Sequence, residues 1–202
     1  MPTYDQVFEA AHTHVVKWEG GFFDHPNDPG GVTNHGVSLM FLKGLGLLEG
    51  DINGDGEIDR KDVLAITKDT ARGIFRRHFW DKPGAEYLPP LLAVAFYDLA
   101  VNAGTGRAAI VLQQGVNAAM GCTVIGNYAG NLSPLTRRYT SELAAAGRQR
   151  NLADEYLKAR EGWYRRLAAA KPTSAVFLKG WLNRTNACRT LLSTLAATWR
   201  LQ

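Results

Sequence analysis

From Trp18 to Gly36 the chain reads Trp-Glu-Gly-Gly-Phe-Phe-Asp-His-Pro-Asn-Asp-Pro-Gly-Gly-Val-Thr-Asn-His-Gly, and no regular helix or long strand tolerates that density of glycine and proline. Before it, Phe8, Ala11, Val15 and Trp18 recur at helical spacing, and Thr3-x-x-Gln6 has the form of a capping box. The pattern predicts a first helix running to about Trp18 and stopping at Glu19, with Gly20 and Gly21 as the permissive backbone of the stop. Glu19 then lies beside the face that packs into the core, next to an indole. Desolvation favours the protonated form of a carboxylic acid, which is the form a general acid needs. Asp28 and Thr33 follow in a hairpin or irregular loop across 22–36 that is able to fold back over Glu19.

The rest of the chain is patterned for helices. Residues 37–48 are apolar on most sides and predict a buried helix, loosened by Gly44 and Gly46. Thr67 is placed to cap a helix over 68–80 that turns Ile74, Phe75 and Phe79 inward, and Pro83, Gly84, Pro89 and Pro90 then break the chain. Residues 91–103 predict a central buried helix carrying Tyr97, with Asp98 and Asn102 one turn apart. Polar groups there either satisfy one another and nearby backbone or line a substrate cleft. Ser133-Pro134 has the cap-and-first-turn form of another helix start. Trp18, Phe22, Phe23, Trp80 and Trp181 are core candidates first and sugar-stacking rings second.

One more segment has a chemistry of its own. Residues 51–62, Asp-Ile-Asn-Gly-Asp-Gly-Glu-Ile-Asp-Arg-Lys-Asp, put oxygen-bearing side chains at loop positions one, three, five, nine and twelve, with glycine at six. That is the spacing of an EF-hand calcium loop, in which a sharp turn makes successive oxygens converge on one ion. The expectation is a structural calcium ion held by the side chains of Asp51, Asn53 and Asp55, the carbonyl of Glu57, Asp59 directly or through water, and Asp62 in place of the usual glutamate.

Glu19-Gly20-Gly21-Phe22 followed by Pro26-Asn27-Asp28-Pro29-Gly30-Gly31-Val32-Thr33-Asn34-His35-Gly36 resembles the signature of the family-108 glycoside hydrolases, muramidases found mainly as phage endolysins. Phe96–Gly104 with Ala108–Gln113 resembles that family's second region, a peptidoglycan-binding one, and Tyr156, Tyr164 and the stretch from Gly180 to Arg184 match its terminal region. The resemblance implies hydrolysis of the β-1,4 bond between N-acetylmuramic acid and N-acetylglucosamine in peptidoglycan, with Glu19 as catalytic acid. A looser likeness to phage-type lysozymes gives Asp28 and Thr33 the task of positioning or activating water, although their spacing is one residue shorter here. The implied fold is mainly α, a lysozyme-like helical bundle with a small turn or β-hairpin lobe at the active site. Its expected parts are a catalytic lobe over 1–90 containing the loop at 51–62, which looks like an insertion, and a basic helical lobe over 91–202, together one compact unit.

Charge and length limit the remaining options. With 202 residues and 46% hydrophobic content the chain is able to bury a full core. A net charge of +4, with arginine and lysine concentrated from Ser133 onward, favours a polyanionic partner. Peptidoglycan and the anionic outer membrane both qualify, and nothing beyond charge points to nucleic acid. The segment Met1–Gln6 has neither a basic nor an apolar run, so the expectation is a monomer made in the host cytoplasm without a signal peptide and released to the wall by a holin. Cys122 and Cys188 are expected as reduced core thiols. Two other functions fit the same residues: a lytic transglycosylase working with one glutamate, and a calcium-dependent wall-binding module without catalysis.

Overall fold

The computed structural model describes residues 1–19 and 31–201. The described residues are mainly α-helical with one two-stranded antiparallel sheet, the lysozyme-like class expected, and the chain divides into two compact units: Val15–Arg76, and Met1–His14 with Arg77–Gln202. None of the described helices is long and apolar enough to cross a membrane.

In the smaller unit the strands β1 (Thr33–Asn34) and β2 (Val37–Ser38) pair Thr33 with Ser38 and Asn34 with Val37. Both central residues of the turn have positive φ, His35 at 48° and Gly36 at 81°, the backbone that matches the right-handed twist of a tight hairpin. Ser38 ends β2 and caps α2 (Leu39–Leu45) by accepting from the Phe41 N–H at 3.2 Å. The helix expected over 37–48 is therefore three elements: β2, α2 and the short α3 (Leu47–Gly50), split at Gly46 with φ 76°. It is also less buried than its composition suggests. Leu42 is inside, whereas Met40 is 60% and Leu48 96% exposed. α4 (Arg60–Ala65) and α5 (Lys68–Phe75) complete the unit, α5 being capped by Thr67, whose hydroxyl accepts from the Thr70 N–H at 3.1 Å. Ala71, Ile74 and Phe75 turn inward from α5.

In the larger unit the capping box at the start of α1 (Tyr4–Val15) forms in both directions. The Thr3 N–H donates to Gln6 Oε1 at 2.8 Å, and the Gln6 N–H donates to Thr3 Oγ1 at 3.2 Å. A π-helical turn (Arg76–Asp81) carries buried Trp80. α6 (Pro90–Ala103) begins with proline in its first turn, and every residue from Leu91 to Ala100 is buried. Each Leu or Phe fully removed from water there contributes about 2 kcal/mol. α7 (Thr105–Met120) crosses α9 (Gln149–Ala170) so closely at Gly115 that a Cβ there would stand 2.8 Å from Tyr156 Cα. α8 (Pro134–Ala145) is capped by Ser133 as expected, and α10 (Leu178–Thr198) follows a 3-10 turn over Pro172–Phe177. Of the two thiols only Cys188 is in the core. Cys122 is exposed because it follows Gly121, which ends α7 in a left-handed conformation (φ 72°) and turns the chain outward.

Candidate active site

Glu19 is set in place by backbone on both sides. α1 ends at Val15, but the N–H groups of Trp18 and Glu19 still donate to the Val15 carbonyl, at 2.8 and 3.2 Å, so a tight turn carries the chain from the helix to the carboxylate. Trp18 is 39% exposed, and Glu19 itself is half-buried. The hairpin tip closes on its stem. A Cβ at Gly36 would lie 2.9 Å from Glu19 Cβ, 3.3 Å from Glu19 Cγ and 3.1 Å from Phe75 Cζ, so only glycine fits against both residues at this positive φ.

The hairpin is in turn tied to the body of the unit. Asn34 Nδ2 donates to the carbonyls of Val63 at 3.1 Å and Ile66 at 3.2 Å, satisfying groups at the end of α4. Thr33 is half-buried on β1, and its hydroxyl donates to the Gly31 carbonyl at 3.4 Å, a long bond. Asp28 lies outside the described residues. The structure thus brings Glu19 under the Gly36 turn, two residues past Asn34 and three past Thr33. Asn34 and Gly36 are not among the residues that the motif marks for chemistry. Their sequence signal was present, since an Asn-x-Gly between short β-formers is a turn former, and its role as a clamp on Glu19 depends on contacts distant in sequence.

Tyr97, Asp98 and Asn102 on α6 each meet a polar partner from another helix. Asp98 has no exposed surface; its carboxylate accepts from Arg160 Nη1 at 2.5 Å and from Arg184 Nε at 2.7 Å, with His14 Nε2 3.8 Å away. Burial pushes this carboxyl up, yet the charges of Arg160 and Arg184 outweigh it and hold it below the usual carboxylate range. Tyr97 is equally buried, its hydroxyl 3.0 Å from His12 Nδ1 and its ring edge-on to Phe8 and Trp80. Asn102 is half-buried and accepts from the Tyr164 hydroxyl at 2.5 Å. Arg160 and Arg184 belong to the basic stretch that starts at Ser133. Their place is the core, and a signal existed: Arg160 falls on the same stripe of α9 as Ala153, Tyr156, Leu157, Tyr164 and Ala168, all buried.

The calcium expectation is overturned. The oxygens of the loop are turned to the loop's own donors instead of converging on a point for an ion. Asp51 accepts from the N–H groups of Gly54, Asp55 and Gly56, and Asn53 from that of Asp55. Asp55 accepts from the Glu57 N–H and from Lys61 Nζ, while Glu57 is exposed. Asp59 caps α4 by accepting from the Lys61 N–H at 2.6 Å. Asp62, fully buried, accepts from the N–H groups of Ile52, Asn53 and Asp59; burial pushes its carboxyl up and these backbone bonds hold it down. Lys61 brings positive charge to the loop, its ammonium 3.3 Å from Asp55 and 3.6 Å from Asp59. Among the described residues, histidine, cysteine and carboxylate ligand atoms come together elsewhere, at His14, Asp98 and Cys188, within 4.8 Å of one another. There two guanidiniums already neutralise Asp98, and burial pushes the Cys188 thiol up to about 12, so it keeps its proton. Thermal melts in excess EDTA and in millimolar calcium are accordingly expected to coincide; a calcium-dependent rise in melting temperature would restore the metal reading of residues 51–62.

Comparison with known proteins first gives the class: the chain carries a catalytic glycoside hydrolase domain. In particular, residues 12–104, which include Glu19, Thr33 and Gly36, match Glycosyl hydrolase 108. Residues 108–186 match a second family, described as Predicted Peptidoglycan domain. Among solved structures, that of Brucella abortus SagA is similar to this chain, with a TM-score of 0.72, 29% sequence identity and coverage of 94% of this chain and 95% of the other. No curated protein matches the chain.

Proposed function

We propose that the chain is an N-acetylmuramidase of the endolysin type, which hydrolyses the β-1,4 bond between N-acetylmuramic acid and N-acetylglucosamine in peptidoglycan. The observation that carries this reading is the half-buried Glu19, fixed at the end of the α1 turn with Gly36 closed against its stem, inside the region matching Glycosyl hydrolase 108. The match of residues 108–186 to a peptidoglycan domain supports the choice of polymer.

In the proposed reaction, protonated Glu19 donates to the bridging oxygen as the bond from that oxygen to the anomeric carbon of the muramic acid breaks. The leaving N-acetylglucosamine departs as an alcohol, and positive charge develops on the remaining ring. A water molecule placed by the Thr33 hydroxyl adds to the anomeric carbon and passes its proton to Asp28 as second carboxylate. A glutamate held from both sides suits this task, because the acid must keep its angle to the bond while the sugar changes shape.

Product chemistry tests the reading. Digestion of purified sacculi by the wild-type protein is expected to create reducing ends on muramic acid, in fragments one water heavier than their anhydro counterparts. Anhydromuramic products would make the enzyme a lytic transglycosylase, and reducing ends on glucosamine would make it a glucosaminidase.

A further inference from the structure

An aromatic ladder runs across α9 and α10 inside the region that matches the peptidoglycan domain. Trp163 and Tyr164 have ring centroids 4.8 Å apart, Tyr164 is stacked on Trp181 at 4.9 Å and 16°, and Trp181 meets Phe177 at 5.9 Å. One end is capped by Arg107, whose guanidinium carbon lies 5.3 Å from the Trp163 ring centre. The other end is open to solvent, with Phe177 57% and Val176 77% exposed. Core packing does not account for two successive large apolar side chains standing that far out of a 3-10 turn.

A polar group of fixed direction belongs to the same array. Tyr164 is stacked in the ladder and donates its hydroxyl to Asn102 Oδ1. That bond sets the plane of the Asn102 amide, whose Nδ2 has no hydrogen-bond partner among the described residues. Asn102, Tyr164, Trp181 and Phe177 are thus a contiguous set that combines exposed aromatic surface with an oriented donor. Lys171 and Lys179, both exposed, bracket the turn that carries Phe177.

Resting on the peptidoglycan reading above, we propose that this set is a binding subsite for a peptidoglycan glycan strand. Phe177, backed by Trp181, takes the apolar face of a pyranose ring, and the Asn102 amide donates to a sugar oxygen or N-acetyl carbonyl. An aromatic face matched to C–H groups with one well-placed donor is the division of labour expected at a site for a ligand that is polar at its edges and apolar on its faces. Lys171 and Lys179 complement the carboxylates of the peptide stems, which favours this polymer over an uncharged glycan. Val176 adds apolar surface beside the ring.

The test is binding of the full-length chain to purified sacculi by co-sedimentation, in a Glu19→Gln background so that the polymer survives. Phe177→Ala removes an exposed ring and leaves the fold intact, so its melting temperature should equal that of the parent while affinity drops about fivefold, the scale of one lost aromatic contact. Asn102→Asp replaces the donor by an acceptor, still accepts from Tyr164, and is expected to weaken binding by a similar factor. Parental affinity in both variants overturns the proposal. So does a loss confined to vesicles of anionic phospholipid with sacculus binding unchanged, which would make the exposed pair a membrane contact. If wild-type protein releases no fragments from sacculi, the hydrolase reading fails, and the two affinities still decide the subsite.

Discussion

Glu19→Gln is expected to lower the rate of fragment release from peptidoglycan by about a thousandfold, within the range that a positioned general acid supplies. The substitution keeps the volume of the side chain and its Cβ and Cγ, the two atoms lying under the Gly36 turn, so the melting temperature should not change. What it removes is the acidic proton. A second variant separates chemistry from placement. Gly36→Ala leaves the carboxyl intact but sets a methyl group 2.9 Å from Glu19 Cβ and 3.1 Å from Phe75 Cζ, at a φ of 81° that alanine resists. The hairpin has to move, and with it the stem of Glu19, so activity should fall while a titratable acid remains. Near-wild-type turnover by Glu19→Gln would remove this residue from the mechanism; full activity in Gly36→Ala would leave its closure on Glu19 without function.

The parts of the fold that the sequence announced are those decided by near neighbours. Thr3 with Gln6, Thr67 and Ser133 each cap a helix as expected, because a side-chain oxygen meets an amide two or three residues away whatever the rest of the chain does. α6 was legible for another reason: an unbroken apolar run headed by proline has nowhere to go but the interior. Residues 37–48 were misread because composition reports apolarity and not burial. The positive φ of Gly46 redirects the chain, and Leu48 ends 96% exposed.

The acidic loop failed at the level of charge. The oxygen spacing at 51–62 satisfies a calcium template, but the template takes no account of the eleventh residue, Lys61, or of backbone amides ready to use the same oxygens. Arg160 and Arg184 failed by distance, since their partner Asp98 lies 62 and 86 residues earlier. A carboxylate in the middle of an apolar helix does demand a counter-charge, and the stripe position of Arg160 would have nominated it. The candidate site divides along the same line: Glu19 and Thr33 stood out by motif, whereas the Gly36 closure and the Asn34 clamp are tertiary facts.

The Asp98 pair of ion bridges carries the largest expected effect on stability. Arg160→Met keeps an unbranched apolar stem but leaves Asp98, which has no exposed surface, with half of its counter-charge, and breaking a buried pair from one side costs about 3–5 kcal/mol. For a chain of this size that corresponds to a drop of about 10 °C in melting temperature. The pH dependence fixes the assignment. The folded carboxyl of Asp98 is held below its unfolded value of about 3.9, so its stabilisation is fully present above that pH and is lost as pH falls through the lower folded value. The wild-type melting temperature should therefore fall on acidification below about pH 4, with Asp62, shifted in the same direction, contributing to the decline. Asp98→Asn should be less stable than wild type at neutral pH, because two buried guanidiniums lose their anion, and its melting temperature should fall less steeply with acid. Melting curves of the three proteins between pH 7 and pH 3 separate the outcomes. Parallel curves for wild type and Asp98→Asn would mean that this carboxylate is not the ionised centre of the bundle, and an Arg160→Met protein melting with wild type would mean that Arg184 alone suffices to hold it.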